Sequence, residues 1–191
     1  MTNRQLKGWY ARGVTLVELF VVVAILATLV GIAVPGLQQW VDSTRIGTQV
    51  RAFLSDLQLT RTEAIRRGER VVLCAASGLQ ACSTLPGWHQ GWLMFVDLNN
   101  NAQVDMGEPI LRHQAPSPEG WTIQGNQPVA RFVSYDALGS TRLVSGAFQA
   151  GSVLFCRQGA GTGAPLPRRV VINSVGRPRS ETVRDPSVCH G

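Results

Sequence analysis

The chain has 191 residues, 45% of them hydrophobic and 16% charged, with a net charge of +6. That length accommodates one membrane helix and one globular domain of ordinary size, and the composition excludes a disordered or collagen-like chain. Four cysteines fit an oxidising compartment.

The basic excess is uneven. Arg4, Lys7 and Arg12 precede Gly13 with no acid among them. Taking these three from the 18 basic groups leaves 15 against 12 acidic groups, a net charge of +3 for the rest of the chain. Half of the basicity is thus a topology signal, because positive residues ahead of a membrane helix stay cytoplasmic. Val14 to Val34 follow, 21 residues with one charge, Glu18. About 20 apolar residues suffice to cross a bilayer as a helix, and a carboxylate near the start of such a helix is costly and usually functional. A secretory signal peptide has an apolar core of only about 7–15 residues and a small-residue cleavage site. Here the run is longer and continues into Pro35-Gly36-Leu37 with no Ala-x-Ala site. An uncut N-terminal anchor is the other alternative.

Gly13-Val14-Thr15-Leu16-Val17-Glu18 resembles the processing signal of type IV pilins and of the pseudopilins of type II secretion. The resemblance implies that a prepilin peptidase cuts between Gly13 and Val14 and that Val14 is N-methylated. It implies a single pass through the inner membrane, with the N-terminus cytoplasmic and the globular domain periplasmic, before entry into a pilus or pseudopilus filament. It further implies that Glu18 pairs with the free amine of Val14, commonly on a neighbouring pilin subunit, during filament assembly. Val14 stands where the family usually has Phe.

From Val14 to about Arg67 the chain reads as one long helix in two halves. The first is apolar all round. The second carries Leu37, Val41, Val50, Phe53, Leu54, Leu57, Ala64 and Ile65 at near-helical spacing, an apolar stripe to be laid on a sheet. Gln38, Asp42, Arg45, Arg51, Asp56, Arg61, Arg66 and Arg67 fall on the other face. Gly68 is the expected C-cap. Pro35 removes a backbone donor, so a bend or local melting is expected between the halves. Short strands follow at 70–75, 91–96, 109–113, 121–123, 130–135, 152–156 and 168–173, bounded by Gly, Pro, Asn and Ser. A long helix followed by a sheet is an α+β arrangement, and pilins share it: the expectation is a type IV pilin-like fold, the helix packed on an antiparallel β domain. Its parts are a leader at 1–13, a transmembrane half-helix at 14–35, an amphipathic half-helix at 36–68 and a β-rich domain at 69–191. Gly159 to Pro167 reads as a loop, since neither a Lys-Ser/Thr pair nor a helix follows its glycines.

The cysteines allow three pairings. Cys74 and Cys82 flank a turn-like Ser77-Gly78, and Cys156 with Cys189 would clip the C-terminus to a strand, which favours Cys74–Cys82 with Cys156–Cys189 over the other pairings or four free thiols. Without a Cys-x-x-Cys pair no zinc site is expected, and no metal or cofactor is called for. His89, His113 and His190 stand in no obvious constellation with a nucleophile and an acid, so no enzyme is read here. Trp88, Trp92 and Trp121 are expected in the core or at the rim of the sheet.

Two charged segments remain. Asp97 to Glu108 nearly fits a calcium loop, with oxygens at its first, third, fifth, ninth and twelfth positions. Yet Ala102 stands at the place of the sharp-turn glycine, and strands rather than helices flank it. A hairpin rich in Asn and Asp explains it equally. With Trp88-His-Gln-Gly91-Trp92, this pattern resembles the FimT/GspH branch of the pilin family. Residues 150–191 hold Arg157, Arg168, Arg169, Arg177, Arg179 and Arg184 against Glu181 and Asp185. Within them, Gly176-Arg177-Pro178-Arg179 reads as a turn that holds two guanidinium groups outward, and arginine pairs bidentately with phosphate oxygens. This element resembles the DNA-binding signature of FimT-type minor pilins. The resemblance implies sequence-independent binding of double-stranded DNA by Gly176, Arg177 and Arg179, supported by Arg168, Arg169 and Arg184, during uptake for natural transformation. The bland alternative has Arg177 and Arg179 solvated or paired with Glu181 and Asp185. A GspH-like pseudopilin of type II secretion, with a role in assembly alone, is the competing function.

Overall fold

The computed structural model describes residues 14–159 and 164–189, apart from the side chains of residues 32–35 and 38. The leader with Gly13, residues 160–163 of the expected loop, and His190 lie outside the described residues. The chain divides into two compact units, Met1–Trp40 and Val41–Gly191.

Helix α1 spans Leu16–Arg67. Thr15 begins it: its Oγ1 accepts the Glu18 backbone N–H at 3.2 Å, and its carbonyl accepts Leu19 N–H at 3.1 Å. Thr15-Leu-Val-Glu18 thus has the spacing of a capping box, and Glu18 sits where the helix dipole favours an acid. At the other end Gly68 takes a φ of +68° and donates to Ala64 O at 3.0 Å, the left-handed stop that glycine adopts readily. Glu63 gathers Arg66 at 2.6 Å and Arg67 at 2.8 Å, and these pairings hold its carboxyl below the usual range. The helix runs through Pro35 without interruption, so the local melting expected there does not occur. Apolar side chains from Leu16 to Val30 are exposed. Among the described residues no helix is long and apolar enough to cross a membrane.

The second unit holds two four-stranded antiparallel sheets. One is ordered β3-β2-β1-β5, from β1 (Val71–Ala75), β2 (Trp92–Val96), β3 (Ile110–Gln114) and β5 (Phe132–Tyr135). The other is β4-β6-β7-β8, from β4 (Trp121–Gly125), β6 (Gly151–Arg157), β7 (Arg168–Ile172) and β8 (Pro178–Thr182). Seven strands lie where the sequence places them, within a few residues. The eighth, β8, departs from expectation: it takes in Pro178 and Arg179, where the sequence predicts a turn.

Ile46, Val50, Phe53, Leu57 and Ala64 bury the helix stripe in a core shared with both sheets. Phe53 lies at the centre, edge-on to Trp88, Trp92 and Phe155 at 5.1, 5.2 and 5.6 Å. Two stripe positions depart from expectation: Leu37 and Ile65 are exposed. Asp56 departs the other way. It was placed on the polar face, yet it is 1% exposed. Its Oδ2 accepts Trp92 Nε1–H at 2.8 Å, and its Oδ1 pairs with Arg112 Nε at 2.8 Å. A carboxylate carried into the core needs such partners.

Strands β1 and β2 are buried at every position, as their unbroken apolar runs require. Their second face packs Val72, Cys74, Leu93 and Phe95 beneath Ala102, Val104 and Phe132. The loop after β2 therefore folds back as a cover. Cys74 joins Cys82, and Cys156 joins Cys189.

Candidate nucleic-acid interface

The interface centres on the β7–β8 hairpin. Ile172 pairs with Pro178, so residues 173–177 form the turn. Gly176 N–H donates to Asn173 O at 2.9 Å, and Arg177 N–H to Asn173 Oδ1 at 2.8 Å. The asparagine side chain thus closes the turn from within, as Asx residues do. Gly176 has a φ of +76°, and a Cβ there would lie 2.2 Å from Gly139 O and 2.9 Å from the Tyr135 ring. Only glycine fits. Its contribution is to dock the hairpin on the 136–141 segment.

That segment is anchored in turn. Arg61 Nε on α1 donates to Gly139 O at 2.9 Å, and Thr141 Oγ1 donates to Asn173 O at 3.0 Å. The turn therefore rests on a chain of contacts that reaches back to the helix. Pro178 opens β8, an edge strand, the kind of position in a sheet that tolerates a residue without an N–H.

The alternation of strand side chains divides the arginines. Val170 and Ile172 face the core, and Arg168 shares their side of β7. Arg169 lies on the opposite side, with Arg179 and Glu181 of β8. Glu181 pairs with Arg169 at 3.4 Å and with Arg179 at 3.3 Å. Arg179 is 69% exposed, and an exposed pair of this kind contributes only about 0–1 kcal/mol. Arg177 is exposed, and among the described residues its guanidinium has no hydrogen-bond or ion-pair partner. Arg184 is exposed beyond β8. Asp185 does not reach an arginine; it accepts Ser187 N–H at 2.9 Å, and the Ser187 hydroxyl and N–H hold its carboxyl below the usual range. Arg177, Arg179 and Arg169 thus form an outward group with one carboxylate inside it, and Arg168 belongs elsewhere. The Cys156–Cys189 bridge fastens the chain beyond β8 to β6.

The acidic segment uses its charge internally. Asp97 is 2% exposed and receives the backbone N–H groups of Asn101 at 3.1 Å and Ala102 at 3.0 Å. Burial pushes its carboxyl up, against those two hydrogen bonds. Asp105 receives the side-chain amides of Asn99 at 2.7 Å and Asn101 at 2.6 Å, which hold it below the usual range. Glu108 accepts from Leu98 N–H and Asp105 N–H. Ala102, where the sequence lacks a glycine, adopts a φ of +59° and is buried in the second core. The flanks are the strands β2 and β3. Among the described residues no group of three or more metal-ligating side chains is placed to hold an ion.

Trp88, Trp92 and Trp121 are all buried, so none offers a face for base stacking. His89 and His113, distant in sequence, line one cavity of about 510 Å³ with Glu119 and Trp121.

Residues 49–176 match the family described as Type II transport protein GspH. Over 97 residues the chain is 37% identical to the pilin-like protein PilA1 of Thermus thermophilus; the match covers 51% of this chain and 55% of that protein, about half its length. The type IV minor pilin FimU of Pseudomonas aeruginosa superposes with a TM-score of 0.55 at 16% identity, over 75% of this chain and 96% of FimU. The minor pseudopilin EpsH of the type 2 secretion system of Vibrio cholerae superposes with a TM-score of 0.50 at 12% identity, over 74% of this chain and 99% of EpsH. At such identities these two structures establish a shared fold.

Proposed function

The chain belongs to the family of type II transport protein GspH, and we propose that it is a minor pilin whose C-terminal hairpin holds double-stranded DNA by its phosphates. It is a structural subunit of the pilin and pseudopilin kind rather than an enzyme. In this reading a prepilin peptidase cuts between Gly13 and Val14, and Val14 to Val34 anchors the subunit in the inner membrane. Glu18 meets the Val14 amine of a neighbouring subunit as the filament grows, and the β domain lies on the periplasmic side. The hairpin then retains incoming DNA for transformation.

One observation carries the DNA reading: Arg177 stands exposed and unpaired among the described residues, on a turn that Gly176 locks in place. Arg179, next on the edge strand, has only a weak surface partner to give up. Two guanidinium groups, one on the locked turn and one on the strand that leaves it, suit phosphate oxygens, and contacts made only to phosphates carry no sequence preference. The family match ends at Gly176, so both arginines rest on their own geometry and on the signature they resemble.

A pseudopilin with an assembly role alone is the second reading. It is favoured by Glu181, which sits between Arg169 and Arg179 and cancels one of the three positive charges of the outward group. A mobility-shift assay on the full chain in detergent, at low salt, separates the two. Replacing Arg177 and Arg179 by Gln abolishes retention of duplex DNA while the melting temperature stays the same. Retention equal to wild type rejects the DNA reading and leaves assembly.

A further inference from the structure

Arg168 lies at the far end of β7 from the hairpin turn, about 13 Å away at 3.3 Å per residue. Its Nη1 donates to Thr182 Oγ1 at 2.6 Å. Its Nε is buried and has no acceptor among the described residues. A guanidinium donates through every N–H and accepts nothing, and a buried donor without a partner calls for an explanation such as an ion or water that completes it.

Arg168 and Thr182 form one wall of a cleft of about 450 Å³. Ser43, Ile46, Gly47 and Arg51 of α1 form the facing wall. Gly47 matters there: a Cβ would come within 3.2 Å of Arg51 Nη1. Its absence lets the Arg51 guanidinium fold back along the helix, where Nη2 meets Thr48 Oγ1 at 3.3 Å. Among the described residues no carboxylate lines the cleft. The two arginines line it together with hydroxyl-bearing side chains, a donor set that suits an oxyanion and repels a cation.

We propose that this cleft is an anion site, separate from the hairpin, which takes a tetrahedral oxyanion of the phosphate class between Arg51 and Arg168. The buried Arg168 Nε–H gains the acceptor it lacks. Arg51, exposed on the helix, closes on the anion from outside. The phosphate is either free or part of a phosphodiester, and the site does not depend on the hairpin binding DNA.

The test follows the arginine Nε–H resonances of the full-length ¹⁵N-labelled chain in detergent. Inorganic phosphate is titrated at constant ionic strength against a chloride control. Arg51 and Arg168 shift along one saturating curve while Arg177 stays in place. Arg51→Gln weakens the midpoint at least tenfold with an unchanged melting temperature, because Arg51 is exposed. Arg168→Gln removes saturation altogether. Shifts that rise linearly, move every arginine alike, or survive Arg51→Gln overturn the proposal. A short DNA duplex added to the Arg177→Gln, Arg179→Gln variant then names the source, once the phosphate arm has succeeded. Movement of Arg51 and Arg168 assigns the site to phosphodiesters, and their stillness assigns it to free phosphate.

Discussion

The Asp97–Glu108 loop and the 173–179 hairpin both depend on a backbone in the left-handed region, yet they direct their charges oppositely. The loop spends its carboxylates on its own donors, Asp97 buried and Asp105 at the surface. Asp97, Asp105 and Glu108 each accept hydrogen bonds from the loop itself, and Ala102 closes the second core from above. The hairpin turn buries only its glycine and leaves Arg177 and Arg179 outside. Charge density along a sequence is therefore a poor guide to which charges are available to a partner. Nearby backbone donors decide it: a short acid beside a tight turn is captured by N–H groups, whereas a guanidinium has no acceptor in such a turn except a carbonyl or a carboxylate.

The largest expected effect falls on the hairpin side. Cys189→Ser opens the bridge to Cys156 and frees the chain beyond β8. Loop entropy puts the loss at about 4 kcal/mol for a separation of 33 residues, read as a lower denaturant midpoint, while the acidic loop keeps its amide protection. Gly176→Ala comes next. The added Cβ meets Gly139 O and must sit at a positive φ, which together costs about 2 kcal/mol. The same variant displaces Arg177, so DNA retention falls along with stability. On the loop side, Asp97→Ala leaves the Ala102 N–H without its acceptor and the Asn101 N–H with Asn99 Oδ1 alone, a loss of about 1–2 kcal/mol, and DNA retention stays at the wild-type level. An equal loss of retention in this variant breaks the contrast.

The smallest effect is on pH dependence. Asp105 and Asp185 titrate below their ordinary value of 3.8 in the folded chain. Their stabilisation is present above that value and is lost as pH falls from it through the folded value. Asp97 has its folded value raised, so the folded chain takes its proton first, and stability rises as pH falls from that value toward 3.8. Asp97→Asn removes this gain. The variant's stability should therefore fall more steeply than wild type on acidification, in urea titrations at successive pH values.

Much of this was legible in the sequence because it follows a period. Val50, Phe53, Leu57 and Ala64 keep helical spacing, and the unbroken apolar runs of β1 and β2 forecast burial on both faces. Strand β8 was not legible: Pro178-Arg-Ser-Glu-Thr182 offers no apolar alternation, since it is an edge strand with little to bury. Asp56 was misplaced because its burial depends on Trp92 and Arg112, which only the fold brings to it. Gly176 and Arg177 were found from the local pattern. The pairing of Arg179 with Glu181 stood among the alternatives, whereas that Arg169 joins them and that Arg168 leaves this group for a cleft shared with Arg51 depends on strand register, and a period-two argument needs β8 to be known first.

The central claim is that Arg177 and Arg179 bind DNA through its phosphates, and the slope of log affinity against log salt concentration tests it most directly. Each phosphate neutralised contributes about −0.9 to that slope on duplex DNA. Removing both arginines should flatten it by about 2 and weaken binding equally for unrelated duplex sequences. A double variant with the wild-type slope and affinity contradicts the account.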